Sequence, residues 1–265
     1  MTSQKVNPLT VLPQFQDRLP ILVPKGNSHY YSIPGIDGLW PSVTTILKVI
    51  DKSTPLMIWS RREALAEAYN LIHTHWPDMA MDEIFALAEK YPDEARDTAA
   101  DLGSRLHQAI DSAFEIGMEI IALGAAKMPE VEEEDRPAFT AALNFLARQN
   151  LIPVATEFAS WNPDRPGAPS PGTVDVVARN ADGELVVVDW KRSSGIYKEA
   201  AYQVAAYANN VAMLTGEDVV EAWVVQLPKP GSTVTNSKPI TDLPGAYHTY
   251  LAAERLYYSL NLKVM

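Results

Sequence analysis

Two valine-rich runs joined by one turn constrain this chain more than anything else in it. TVDVVAR (173–179) and ELVVVDWK (184–191) flank Asn180-Ala181-Asp182-Gly183. β-Branched runs of this length, bounded by turn residues, read as buried strands. With Gly183 in the left-handed position after a type I turn, the loop has three residues and Asn180 pairs with Glu184. Counting outward, Asp175 then lies opposite Asp189. Successive strand residues face opposite sides. Asp175, Asp189 and Lys191 therefore share one face, and Val174, Val176, Val186, Val188 and Trp190 share the other. A two-residue Asp-Gly turn is the rival register, and it throws the two aspartates onto opposite faces.

The first register sets a chemical problem. Two carboxylates held about 5 Å apart on adjacent strands repel, or raise a pKa, unless positive charge sits between them. A hard divalent cation answers this, since Mg²⁺ and Mn²⁺ take a few carboxylates plus water and substrate oxygens. Lys191 beside such an ion is placed to orient or deprotonate a water and to steady anionic charge. An isolated D-x-K is ordinarily a surface ion pair. Here it follows a run of valines and faces a second aspartate.

The rest of the chain supplies the setting. Residues 1–40 carry Pro8, Pro13, Pro20, Pro24 and Pro34 without a helical period, and read as an irregular or short-stranded arm. Ser53 as an N-cap and Pro55 as an early helical position open a helix running to about Tyr69, and Asp82–Tyr91 reads as a second helix. Glu94 to about Leu123 is a long amphipathic helix with Leu102, Leu106, Ile110 and Phe114 on one stripe. A further helix covers roughly 135–149. Strands follow from Ile152, interrupted by the Pro/Gly loop NPDRPGAPSPG, then a helix at 197–214, a strand at 221–227 and a closing helix from Pro244 to about Leu262. The expected fold is α/β (α+β): a mixed sheet flanked by helices, in one domain over 1–265. Within it, 1–150 is the arm and helical part and 151–265 the sheet core.

Composition bounds the chemistry. The 265 residues contain no cysteine, which excludes disulfides, thiolate zinc sites and cysteine-ligated iron–sulfur clusters. No basic n-region with an apolar core opens the chain and no apolar run is long enough to span a bilayer, so the expectation is a cytoplasmic protein without a membrane partner. A net charge of −11 argues against broad phosphate binding. Part of that charge is the run Glu130, Glu132, Glu133, Glu134 and Asp135, which reads as a solvated helix start.

Gly172-Thr173-Val174-Asp175, Asp189-Trp190-Lys191 and Gln203-Val204-Ala205-Ala206-Tyr207 occur in this order. Together they resemble the PD-(D/E)XK nuclease superfamily, in particular its RecB-like exonuclease branch. Gly103 and His107 match a helix Gly and His of that branch, and Glu157 in ATEFASW matches a strand Glu common in relatives. PSVTTIL (41–47) is similar to the start of the mitochondrial genome-maintenance exonuclease and its phage relatives, and the likeness covers residues 41 to 207. Arg192 stands where relatives often have Thr. The resemblance implies a restriction-endonuclease-like sheet and a catalytic set of Lys191, Asp189, Asp175 and Glu157. It implies metal binding by His107, Asp175, Asp189 and the Trp190 backbone carbonyl, with one or two Mg²⁺ or Mn²⁺ ions. Gln203 and Tyr207 would position a nucleic-acid strand, with Arg192 and Ser193 near phosphate.

Each of these residues also has a plainer reading. His107 on an amphipathic helix can be a packing histidine. Gln203 and Tyr207, at i and i+4, can simply pack one helix face on the sheet. Glu157 can be an exposed strand residue, and Ser193 and Ser194 can do no more than make the turn. The function implied is a metal-dependent exodeoxyribonuclease acting on single-stranded or frayed DNA ends in recombination, repair or processing. The implied setting is a phage-encoded protein in a bacterial host, with a helicase, recombinase or single-strand-binding partner, since no P-loop is present. The alternatives are an endonuclease of the same superfamily and a non-cleaving module that keeps the fold to bind DNA or protein.

Overall fold

The hairpin forms in the three-residue register. Gly183 has φ +83°, its N–H donates to the Asn180 carbonyl (3.0 Å), and the Asn180 N–H donates to the Glu184 carbonyl (3.0 Å). Asn180 Oδ1 closes the loop by accepting from the N–H groups of Asp182 (3.0 Å) and Glu184 (2.9 Å). The ladder pairs Arg179 with Leu185 and Val176 with Val188, and one further step brings Asp175 opposite Asp189. The structure, a computed structural model, describes residues 9–26, 28–115, 117 and 129–261.

The chain has an α+β fold. Three strands, β1 (Ile21–Lys25), β2 (Ser28–Ile33) and β3 (Ile36–Pro41), form an antiparallel meander. They are followed by the short α1 (Val43–Ile46), α2 (Ser53–His75), α3 (Met81–Glu115) and α4 (Arg136–Arg148). The main sheet runs in the order β4 (Ile152–Ser160), β5 (Gly172–Arg179), β6 (Leu185–Lys191), β7 (Val219–Gln226), β8 (Asn236–Pro239). It is antiparallel except for β6 and β7, which run parallel and are linked by α5 (Lys198–Thr215). The last helix, α6, spans Leu243–Asn261. The described residues of 1–49 and 106–265 group as one unit and residues 50–105 as another. The second unit contains α2 and the first part of α3. Among the described residues no helix is long and apolar enough to cross a membrane.

The hydrophobic core lies on the valine face of the hairpin. Val176, Ala178, Val186, Val188 and Trp190 pack with Leu106, Ile110 and Ala113 of α3 and with Ala138, Phe139, Ala142 and Phe145 of α4. The Trp190 ring meets Phe145 edge-on at 5.9 Å between centroids. The opposite face is also covered, with Val177, Val187, Val204, Ala206 and Tyr207 buried. Strands buried on both sides account for a continuous valine run instead of an alternating one.

Several local expectations change. The N-terminal stretch takes the short-stranded of its two expected forms, a three-stranded meander whose edge strand tolerates Pro24. The helices expected at 82–91 and from 94 are one helix with Pro92 inside, because a single proline removes one backbone hydrogen bond without ending a helix held by tertiary packing. The part of that expectation at 116 and 118–123 lies outside the described residues. Ser53 is the first residue of α2, not its cap, and its N–H is taken by Asp51 Oδ1 at 2.8 Å. Asp135 is buried at 2% exposure, so the acidic run is not uniformly solvated.

Candidate metal centre

Three carboxylates stand in one row across three neighbouring strands. The β4–β5 ladder pairs Thr156 with Val176 and Phe158 with Val174, which sets Glu157 opposite Asp175, and the hairpin sets Asp175 opposite Asp189. Glu157 itself leaves the ladder at φ +44°, a left-handed conformation that a glutamate in a strand adopts only when its surroundings impose it. His107 of α3 completes the group. Its Nδ1 lies 3.0 Å from Glu157 Oε1 and 3.6 Å from Asp175 Oδ1. One donor atom from each of His107, Glu157 and Asp175 fits within 4.8 Å of the others.

Asp189 is the deeper carboxylate, its side chain 1% exposed. Lys191 Nζ sits 2.8 Å from its Oδ2 and 3.0 Å from its Oδ1, and Gln203 Nε2 donates to Oδ1 at 2.9 Å. Asp175 Oδ2 accepts the Trp190 backbone N–H at 2.7 Å, which ties the two strands at the level of the carboxylates. Of the residues expected to bind a metal, the structure thus gathers His107 and Asp175. It adds Glu157 to them and leaves Asp189 engaged by Lys191 and Gln203. The Trp190 contact to the group is made by its N–H.

The electrostatics follow from packing acids together out of water. Burial raises the carboxyls of both Asp175 and Asp189, and the Asp189 value reaches about 6 with the neighbouring Asp175 charge contributing. Asp175, then Glu157 and Asp189, drive the His107 imidazole up to about 9 against the opposing effect of burial. Burial works against the Lys191 charge too, but Asp189 and Asp175 outweigh it and hold the ammonium above its ordinary value. A set of two or three carboxylate oxygens with one imidazole suits a hard or borderline divalent ion, and the donors present fit Mg²⁺ or Mn²⁺.

The remaining candidates have distinct places. Gln203 and Tyr207 point inward: Gln203 Nε2 also donates to the Tyr207 hydroxyl (3.2 Å), and Tyr207 is 3% exposed. Burial, then the Asp189 and Asp175 charges, raise the phenol well above its usual value, so it stays neutral. Arg192 is turned away from the carboxylates. Its guanidinium pairs with buried Asp135 and donates to the carbonyls of Glu134 (3.1 Å) and Pro228 (3.2 Å). Ser193 Oγ donates to the Gly195 carbonyl at 2.7 Å within the turn after β6. Two contacts had no signal in the sequence. Tyr31 of β2 meets Thr173 Oγ1 at 2.8 Å, and Asp111, one turn beyond His107, accepts a hydrogen bond from Thr156 Oγ1.

No family model matches this chain, and no curated protein does. Among solved structures it is similar to "Crystal structure of SSO0001", at 15% identity over 62% of this chain and 76% of that one, with a TM-score of 0.30. At that score the likeness carries no argument about fold or chemistry.

Proposed function

We propose that this chain is a divalent-metal-dependent deoxyribonuclease of the PD-(D/E)XK type, acting as an exonuclease on single-stranded or frayed DNA ends. One observation carries the reading. Glu157, Asp175 and Asp189 form a single row over three strands, with Lys191 in contact with the last of them. A row of like charges costs stability and is retained where a cation is bound.

His107, Glu157 and Asp175 would hold the ion, beside the Asp189–Lys191 pair. A bound Mg²⁺ or Mn²⁺ supplies Lewis-acid stabilisation of charge on a phosphate oxygen. The chain's own residues do the rest. Lys191, whose ammonium is held above its ordinary value by Asp189 and Asp175, is placed to serve as a cationic donor to water or phosphate. Gln203 and Tyr207 act behind Asp189, fixing its orientation instead of touching the strand. The buried valine ladder keeps the row rigid, which preorganises the charge that the reacting phosphate meets.

The test is digestion of linear and circular single-stranded DNA, with 5′ and 3′ labels on the linear form, in Mg²⁺ and in Mn²⁺. Mononucleotide release from linear DNA with the circle intact is the expected outcome. Cleavage of the circle would assign an endonuclease. No cleavage of either, with DNA still bound, would assign the non-cleaving module.

A further inference from the structure

Among His107, Glu157 and Asp175, only Glu157 has a left-handed backbone, at φ +44°. Its neighbours on both sides stay in the ladder, Thr156 paired with Val176 and Phe158 with Val174. The left-handed backbone is therefore confined to one residue, beyond the register shift between Pro153 and Ala155. The register alone sets position 157 on the Asp175 face, and the left-handed backbone changes the direction of the Glu157 Cα–Cβ bond from the one an extended residue there would have. Something must hold the strand in the less favourable form.

Two bonds from α3 do so. His107 and Asp111 are four residues apart on one helix face. His107 Nδ1 holds Glu157 Oε1 at 3.0 Å, and Asp111 Oδ1 accepts the hydroxyl of Thr156, the residue before it. The first bond is to a side chain that rotates freely, so alone it does not fix φ. The second fixes the strand next to the strained peptide, where the backbone of Glu157 begins.

We propose that Asp111 is a positioning residue: through Thr156 it locks the left-handed conformer of Glu157 and so aims that carboxylate at His107 and Asp175. The effect on a bound ion rests on the metal-centre reading above, whereas the effect on the backbone does not. The Asp111–Thr156 bond needs only an acceptor oxygen and a hydroxyl. Asn at 111 keeps it and Val at 156 removes it.

Two measurements separate the parts. In the metal-free protein, Glu157→Gly is compared with Glu157→Ala by thermal unfolding, in the wild-type and Thr156→Val backgrounds. Both lose the side chain, so their difference reports φ alone. Gly unfolds about 2 °C or more above Ala in the wild-type background, because it takes positive φ without strain. In Thr156→Val the advantage disappears. An equal Gly advantage in both backgrounds overturns the proposal.

Calorimetric titration with Mn²⁺ alone then reads the consequence. Thr156→Val and Asp111→Ala weaken binding by about tenfold or more, while Asp111→Asn stays within about threefold of wild type. Undiminished Mn²⁺ affinity in Thr156→Val overturns the positioning role. If wild type takes up no Mn²⁺ but the Gly advantage still depends on Thr156, the backbone lock stands and the metal-centre reading fails.

Discussion

Gly172 lies against the ring of Tyr207. A Cβ on Gly172 would stand 2.5 Å from Tyr207 Cε1 and 3.3 Å from its hydroxyl oxygen. The glycine three residues before Asp175 and the tyrosine four after Gln203 are therefore two halves of one contact. The bare backbone lets the ring in, and the ring presents its hydroxyl to Gln203, which holds Asp189. Gly172→Ala is expected to destabilise the protein by about 1–3 kcal/mol through overpacking. Adding Tyr207→Leu, which makes room, should return part of that loss in chemical denaturation. Strict additivity of the two would contradict the contact.

Asp189 has a folded-state pKa of about 6, above its unfolded value near 3.8. The native state thus holds a proton that the unfolded chain has released between those pH values. Stability from this group is fully present below about pH 4 and is lost as pH rises through 6. Asp189→Asn removes that loss. At pH 7, without metal, it should raise stability by roughly 1–3 kcal/mol by denaturant titration. A drop in stability would mean that the Lys191 pair outweighs burial.

His107 behaves in a related way, with its pKa raised from 6.5 to about 9. Its contribution to metal-free stability is fully present below about pH 6.5 and lost as pH rises through 9. An ion at this imidazole must displace the proton. Mn²⁺ affinity should therefore climb by up to about tenfold per pH unit between pH 7 and 9, with proton release seen as a buffer-dependent heat. His107→Ala should flatten the slope. Mn²⁺ should also bind more tightly than Mg²⁺, because the imidazole suits the softer ion.

Arg192 is a stability residue in this structure. Its side chain and that of Asp135 are each 4% exposed and face each other 57 residues apart in the chain. Removing either partner alone leaves a buried charge, at a cost of about 3–5 kcal/mol. Arg192→Met with Asp135→Leu should cost far less than the single changes add up to. DNA affinity should be unaltered in the double variant, and a loss there would restore Arg192 to phosphate binding.

What the sequence made legible was the part governed by local rules. The turn at Asn180–Gly183 allowed two registers, and the one that forms, with Gly183 at φ +83°, is the one that keeps Asp175 and Asp189 on one face. His107 was nameable through the resemblance of Gly103 and His107 to a helix Gly and His, not through the helix stripe, which runs over Leu102, Leu106, Ile110 and Phe114. Glu157 was nameable, but not its left-handed backbone, because that comes from Thr156 and Asp111, 45 residues apart in sequence. Arg192 was placed near phosphate by the resemblance, and its partner Asp135 was hidden in an acidic run that reads as solvated. The inward turn of Gln203 and Tyr207 depends on space at Gly172, which no spacing of residues reveals. The edge strand Asn236–Pro239 is four residues long and, among the described residues, pairs only with β7, so it leaves no pattern of its own.

The most direct test of the central proposal is the rate of labelled single-stranded DNA degradation in Mn²⁺ for wild type and Lys191→Ala, beside Mn²⁺ binding to both. The expected result is metal-dependent cleavage by wild type and a loss of about 100-fold or more in Lys191→Ala, with Mn²⁺ binding retained. Equal rates in the two proteins, or cleavage that persists in chelator, would contradict it.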